Sequence, residues 1–309
     1  MTAYAYDGRA FRPLDWQTRR TLRWAAWRPD GSAALLIGNA GSALLWDGRS
    51  TLDPIATGSK QNLRGAAWSP DGRTALLVGN RGAVIVLEGE SFREPSALTT
   101  ENLRRVEWHP NGLEALIIGN AGTVLRYDRQ AGTLTPLPGD RAHTLRSVAH
   151  RPDGAYALVG AYASRWAGYP RPHALYRCDG RYLQGMLATD DEDDLVSVDW
   201  STDGTALACG YATRPGGDTV NKALLFDGSA WQTRAWESAG RLVLGGAWHP
   251  TQSHALLVGE QGLALTVSTS GDTQALDSGS TDNLIGPFWR PDGSMALILK
   301  GPGDRVYTV

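Results

Sequence analysis

The residues best suited to chemistry are four arginines that share one slot in a repeated phrase. Counting back four positions from the aromatic residue that opens each aromatic-x-Pro-Asp-Gly-like turn gives Arg23, Arg64, Arg104 and Arg146, and then Val196, Leu244 and Ile285. A guanidinium grips a carboxylate or phosphate at two points, so four of them on neighbouring elements would build a half-ring of positive potential. The plainer reading pairs each arginine with a nearby carboxylate: Glu101, Asp140 or the acidic run TDDEDD at 189–194. That run reads by itself as a solvated loop.

A second group lies where the phrase stops repeating. The segments GAYASRWAGYPRPH (160–173) and GYATRPGGDTVNK (210–222) replace a minimal GN-x-G turn. They gather Tyr162, Arg165, Trp166, Tyr169, Arg171, His173, Tyr211, Arg214, Asn221 and Lys222. Aromatic residues with arginine are the composition of a contact surface; the alternative is two long loops folded over themselves. Glu107 and Asp199 stand just before the aromatic, where the other copies have Ala or Phe. Each is either a buried partner for an arginine or an acid or metal ligand lining a channel. Of the six histidines only His173 falls in a variable segment. Nucleophile-elbow, phosphate-loop, HExxH and dinucleotide motifs are not present, and the two cysteines, Cys178 and Cys209, form no CxxC pair. No cofactor and no metal are therefore expected.

These residues need elements to hold them, and the repeat supplies those. The turn phrase occurs seven times, with its aromatic at Trp27, Trp68, Trp108, His150, Trp200, Trp248 and Trp289, spaced by 41, 40, 42, 50, 48 and 41 residues. In the second copy LRGAAW, TALLVG, AVIVL and FREPSAL are four short β-type runs separated by PDG, GNRG and EGES turns. Four strands in about 40 residues, without helical periodicity, make the blade of a β-propeller. The recurring tryptophan is a packing anchor between blades, and the Asp-Gly after the third strand (Asp7, Asp47, Asp179, Asp227) is a turn. Seven copies predict an all-β, seven-bladed propeller of four-stranded antiparallel blades in one domain over 1–309. The N- and C-terminal segments share the last blade, with Ala3–Tyr6 and Arg305–Val309 competing for its third strand. On such a ring the arginine slot and both variable segments fall on one face, here called the upper face, at the mouth of a central channel.

Two stretches tie the repeat to known propellers. The aromatic-x-Pro-Asp-Gly phrase followed by Gly-x-x-Gly resembles WD-repeat and related bacterial propellers, and Trp46-Asp47 stands where the WD dipeptide would. VGNRGAVIVLEG, IGNAGTVLRYD and LLFDGSAW, the last one residue short of an Asp box, resemble propellers of the photosystem II stability/assembly-factor type and their Asp-box relatives. The resemblance covers nearly the whole chain. It implies a binding or assembly role and carries over no catalytic set.

Bulk properties agree with a packed, ligand-binding chain. Hydrophobic residues make up 42% and charged residues 20%, enough for a core, and a net charge of −2 gives no general pull toward nucleic acid or an anionic membrane. The opening MTAYAYDGRAFRPLDW lacks the apolar stretch of a secretory signal, so a cytoplasmic monomer is expected. The reading that follows is a non-enzymatic scaffold that binds an acidic protein or peptide on the upper face. The alternatives are a hydrolase or lyase at the channel mouth, and a lectin using the repeated GN-x-G turns.

Overall fold

The structure is a computed structural model that describes residues 2–16, 18, 20–139, 144–162, 173–187, 192–214 and 218–301. Among the described residues the strands form five separate four-stranded antiparallel sheets and one eight-stranded sheet. Each four-stranded unit meanders outward from an inner strand. In blade 1 the order is Leu22–Trp27, Ala34–Gly38, Ser42–Trp46, Leu52–Ala56. The second strand of a blade is buried on both faces, so it carries a continuous apolar run such as Leu35, Leu36 and Ile37, all at 0% exposure.

The inner strands stand side by side in chain order, from Leu22–Trp27 through Leu63–Trp68, Leu103–Trp108, Thr144–His150, Glu192–Trp200 and Val243–Trp248 to Leu284–Trp289, which returns to Leu22–Trp27. This closed circuit makes the fold an all-β propeller. The last blade is completed from the other end of the chain. Thr2–Tyr6 pairs with Ala296–Lys300 as the third strand, and Phe11–Asp15 pairs with Thr2–Tyr6 as the fourth. The register Ala3↔Leu299 to Tyr6↔Ala296 settles in favour of the N-terminal segment; Arg305–Val309 lies outside the described residues.

Three of the anchors bond one blade to the next, while Trp68, Trp248 and Trp289 are held by packing without such a bond among the described residues. Trp27 Nε1 donates to Phe288 O at 3.1 Å, Trp108 Nε1 to Ala67 O at 3.1 Å and Trp200 Nε1 to Ala149 O at 3.2 Å. Each acceptor is the residue just before the preceding blade's own anchor. His150, the one anchor that is not tryptophan, packs edge-on against His109 at 5.3 Å, and burial, with the His109 charge adding to it, pushes its pKa down to about 3. It is a neutral packing residue.

On the upper face the GN-x-G turns are clasped by the linker into the next blade. Ala40 N–H donates to Asn62 Oδ1 (2.9 Å), Arg81 N–H to Asn102 Oδ1 (3.2 Å) and Gln261 N–H to Asn283 Oδ1 (3.1 Å). Linker backbone fills the space beside the closing glycine: a Cβ on Gly82, whose φ is +70°, would lie 1.9 Å from Thr99 O. Gly82→Ala therefore forces both a strained dihedral and a displaced linker. It is expected to cost about 2 kcal/mol in a urea-unfolding measurement, and a change below 0.5 kcal/mol would show the clasp to be slack.

Candidate functional site

The upper mouth of the channel is built by a kink in the inner strands. In blades 1 to 6 the pairing with the second strand slips by one residue, between Leu22/Trp24, Leu63/Gly65, Leu103/Arg105, Leu145/Ser147, Leu195/Ser197 and Val243/Gly245. The residue skipped is the arginine slot. A β-bulge of this kind re-aims its extra side chain. It puts Arg23, Arg64, Arg104 and Arg146 at the mouth, and sends the residues three and one before the anchor toward the axis.

Three of the four arginines are tethered alike. Arg23 Nε donates to Asn39 Oδ1 at 2.5 Å, Arg64 Nε to Asn80 Oδ1, and Arg104 Nε to Asn120 Oδ1 at 2.8 Å. The asparagine is that of the blade's own GN-x-G turn, so one clasped turn fixes one guanidinium. Blade 4 has no such asparagine. Arg146 instead lies 4.4 Å above the ring of Tyr162, and its buried Nε has no hydrogen-bond partner among the described residues. No carboxylate pairs with any of the four among the described residues; of the expected partners, Asp140 and residues 189–191 lie outside the described residues.

The arginines feel one another. Burial draws Arg64 down to about 10, helped by the charges of Arg23 and Arg146. Burial draws Arg104, 5% exposed, down to about 9, helped by Arg146, Arg64 and Arg23. Both remain cations at neutral pH.

Below them the sequence reading missed two residues. Trp24 and Arg105 stand three before the anchor, where the other blades have Gly65, Ser147, Ser197, Gly245 and Gly286. Arg105 Cζ sits 3.8 Å over the Trp24 ring, and Arg105 Nη1 donates to Arg64 O (2.9 Å) and Arg104 O (2.8 Å). Trp24 packs edge-on against Phe288 at 4.6 Å and donates to Ala66 O at 2.9 Å. It thus touches blades 7, 2 and 3 and occupies the channel at this level, forming a floor to the arginine basin. The signal was available: two bulky residues in a column of Gly and Ser.

One step further in, Glu107 and Asp199 face the axis from blades 3 and 5. They lie deep in the protein yet keep some accessible surface, as channel-lining groups do. Burial, with Asp199 adding to it, raises Glu107 to about 8. Burial raises Asp199 to about 6 against the pull of the backbone N–H groups of Trp248 (2.7 Å) and Trp200. No cation offsets either among the described residues, so they are not arginine partners. Among the described residues no cluster of three His, Cys, Asp or Glu side chains is placed to hold a metal.

The second predicted group divides. Arg165, Trp166, Tyr169 and Arg171 lie outside the described residues. His173 is half-buried, packed edge-on against Tyr176 at 5.9 Å and close over Gly185. The segment 210–222 is no loop for most of its length. Strands Ala206–Thr213 and Thr219–Phe226 extend through it, and the acidic run contributes the start of Glu192–Trp200, which pairs along them. Tyr211 is consequently 7% exposed in the core with Val196, Leu242 and Leu263 rather than on a contact surface. Asn221 spans into blade 6, donating to Arg241 O and accepting from Val243 N–H. Lys222 is buried on Asp193, with Nζ 2.9 and 3.0 Å from its two carboxylate oxygens. Of the four predicted residues in this segment, Arg214 is the exposed one. The pairing Tyr162↔Asp194 joins blades 4 and 5 into the eight-stranded sheet, a raised wall beside the basin.

Against known proteins, no family model and no curated sequence matches the chain. In fold it is similar to the solved structure of "YCF48 bound to D1 peptide", at a TM-score of 0.67 over 95% of this chain and 99% of that one, with 16% sequence identity.

Proposed function

We propose that this seven-bladed ring is a non-enzymatic protein- or peptide-binding scaffold, and that an acidic stretch of the partner docks in the basin formed by Arg23, Arg64, Arg104 and Arg146. The observation that carries it is a set of fixed, half-buried cations with no carboxylate among the described residues to neutralise them. The similar solved propeller, YCF48, is one bound to a peptide, which supports the same class of ligand. A soluble, cytoplasmic role for a single chain belongs to this proposal.

The test is binding of fluorescent 12-residue peptides of acidic, neutral and basic composition to the protein and to Arg64→Ala/Arg104→Ala. A buried charge-assisted hydrogen bond contributes about 1.5–3 kcal/mol, so acidic peptides should bind the wild type at least about tenfold more tightly than the variant. Equal binding to both would remove the basin from the function.

The hydrolase or lyase reading draws on the raised pKa of Glu107, the property of a general acid. Its place beneath the Trp24–Arg105 floor, away from the basin, favours the scaffold. For the lectin reading the GN-x-G turns are poorly suited, since linker backbone already packs against them.

A further inference from the structure

Among the described residues, every acceptor offered to the upper arginines is neutral. Arg23, Arg64 and Arg104 bond asparagine amides, Arg105 bonds two backbone carbonyls and stacks on Trp24, and Arg146 stacks on Tyr162. Aspartate in place of Asn39, Asn80 or Asn120 would hold the same Nε atoms and cancel the charge. The asparagines instead fix the guanidinium through its Nε while leaving its charge in place. Arg105 and Arg146 add buried Nε donors with no acceptor among the described residues. A structural cluster would be satisfied internally; among the described residues this one keeps two unmet Nε donors and has no counter-charge.

Five guanidinium groups gather at and just below this mouth; burial lowers the proton affinity of Arg64, Arg104 and Arg105, and the neighbouring guanidinium charges lower it further. A single carboxylate offsets one charge and fills one fork. A phosphoryl group, or two carboxylates side by side, offsets two charges and offers acceptors to several forks at once. Trp24, packed against Arg105 and Phe288, lies under the arginines of blades 1 to 3, which favours a compact group entering from above over an extended chain crossing the axis.

We propose that the basin takes a doubly charged anionic group, a phosphoryl group or a pair of adjacent carboxylates, as the anchoring part of its ligand. This rests on the reading of the upper mouth as the ligand site and specifies its chemistry. The experiment titrates the full chain with inorganic phosphate, malonate and acetate at one fixed ionic strength, followed by calorimetry and by the fluorescence of Trp24 against a Trp24→Phe control. Phosphate or malonate is expected to bind at least about tenfold more tightly than acetate. The binding should be lost in Arg64→Met/Arg104→Met and weakened in Asn80→Asp/Asn120→Asp, which retains the tethers and adds internal negative charge. Preference for phosphate over malonate identifies a phosphorylated partner, and the reverse identifies paired carboxylates. Acetate binding as tightly as both overturns the proposal. If none of the three binds while acidic peptides still bind in an arginine-dependent way, the dianion idea fails and the peptide site stands. Peptide binding that ignores the arginines removes both. Circular dichroism of each variant separates lost binding from lost folding.

Discussion

Replacing Lys222 by Met lowers the midpoint of thermal unfolding by about 10 °C, while the double replacement Asp193→Leu/Lys222→Met restores most of it. Asp193 and Lys222 are both buried, at 0% and 8% side-chain exposure, and close at 2.9 Å. Removing the cation leaves a carboxylate in the interior, at a cost of about 3–5 kcal/mol. For a chain of this size each kcal/mol moves the midpoint by about 2–4 °C. Removing both members avoids the stranded charge, and two apolar side chains fill the same space. Differential scanning calorimetry of the two variants decides the matter. A single variant within 2 °C of wild type would mean that the pair is hydrated and does not hold the raised hairpin of blade 5.

The second large effect is pH-dependent and belongs to Glu107. Its carboxyl titrates near 8 in the fold against an ordinary value of 4.5, so the folded protein retains a proton that the unfolded chain has released. The sign follows by linkage: this stability is complete below about 4.5, falls as pH rises, and is fully lost above about 8. Asp199, raised to about 6 from 3.8, adds in the same direction over a lower range. The gap for Glu107 corresponds to about 5 kcal/mol in full, which water in the channel reduces to about 2–3 kcal/mol. Glu107→Gln, which is neutral at every pH, should therefore match wild type near pH 4.5 and exceed it by that amount at pH 8.5. His150 titrates in the opposite sense over lower pH, so the quantity to read is the difference between variant and wild type in urea unfolding at each pH. A difference independent of pH would show that Glu107 is already ionised in the fold.

The repeat and its anchors were legible because they are local. An aromatic, a Pro-Asp-Gly turn and a GN-x-G turn state their structure within a few residues, and aligning copies exposes the arginine slot. What was not legible depends on distant partners. The slot near the start of the inner strand already pointed Arg23 to the mouth, but the bulge that aims it there is visible only in pairing with the second strand. The same bulge puts Trp24 and Arg105 in the channel. Tyr211 and Lys222 were read as loop residues because their segment lacks a compact turn. They are strand because the acidic run 192–194 pairs alongside and supplies Asp193. Glu107 and Asp199 stood out as odd residues in their slot, but that the charge of Asp199 reaches Glu107 needed the ring.

The ring is fastened by its own ends, with Thr2–Tyr6 laid against Ala296–Lys300, and this sets an order of events during synthesis. At about 5–20 residues per second, the first strand waits on the order of tens of seconds before the strand that accepts it leaves the ribosome. Through that interval Tyr4 and Tyr6, buried in the finished blade, have no place to go, and the exposed edge of Thr2–Tyr6 is open to any other strand nearby. A nascent chain can complete its middle blades one after another, each against the last, but the final blade forms in a single step that joins both ends. Closure of the ring is therefore the last pairing to form, and Thr2–Asp15 is the stretch that waits longest for its neighbour.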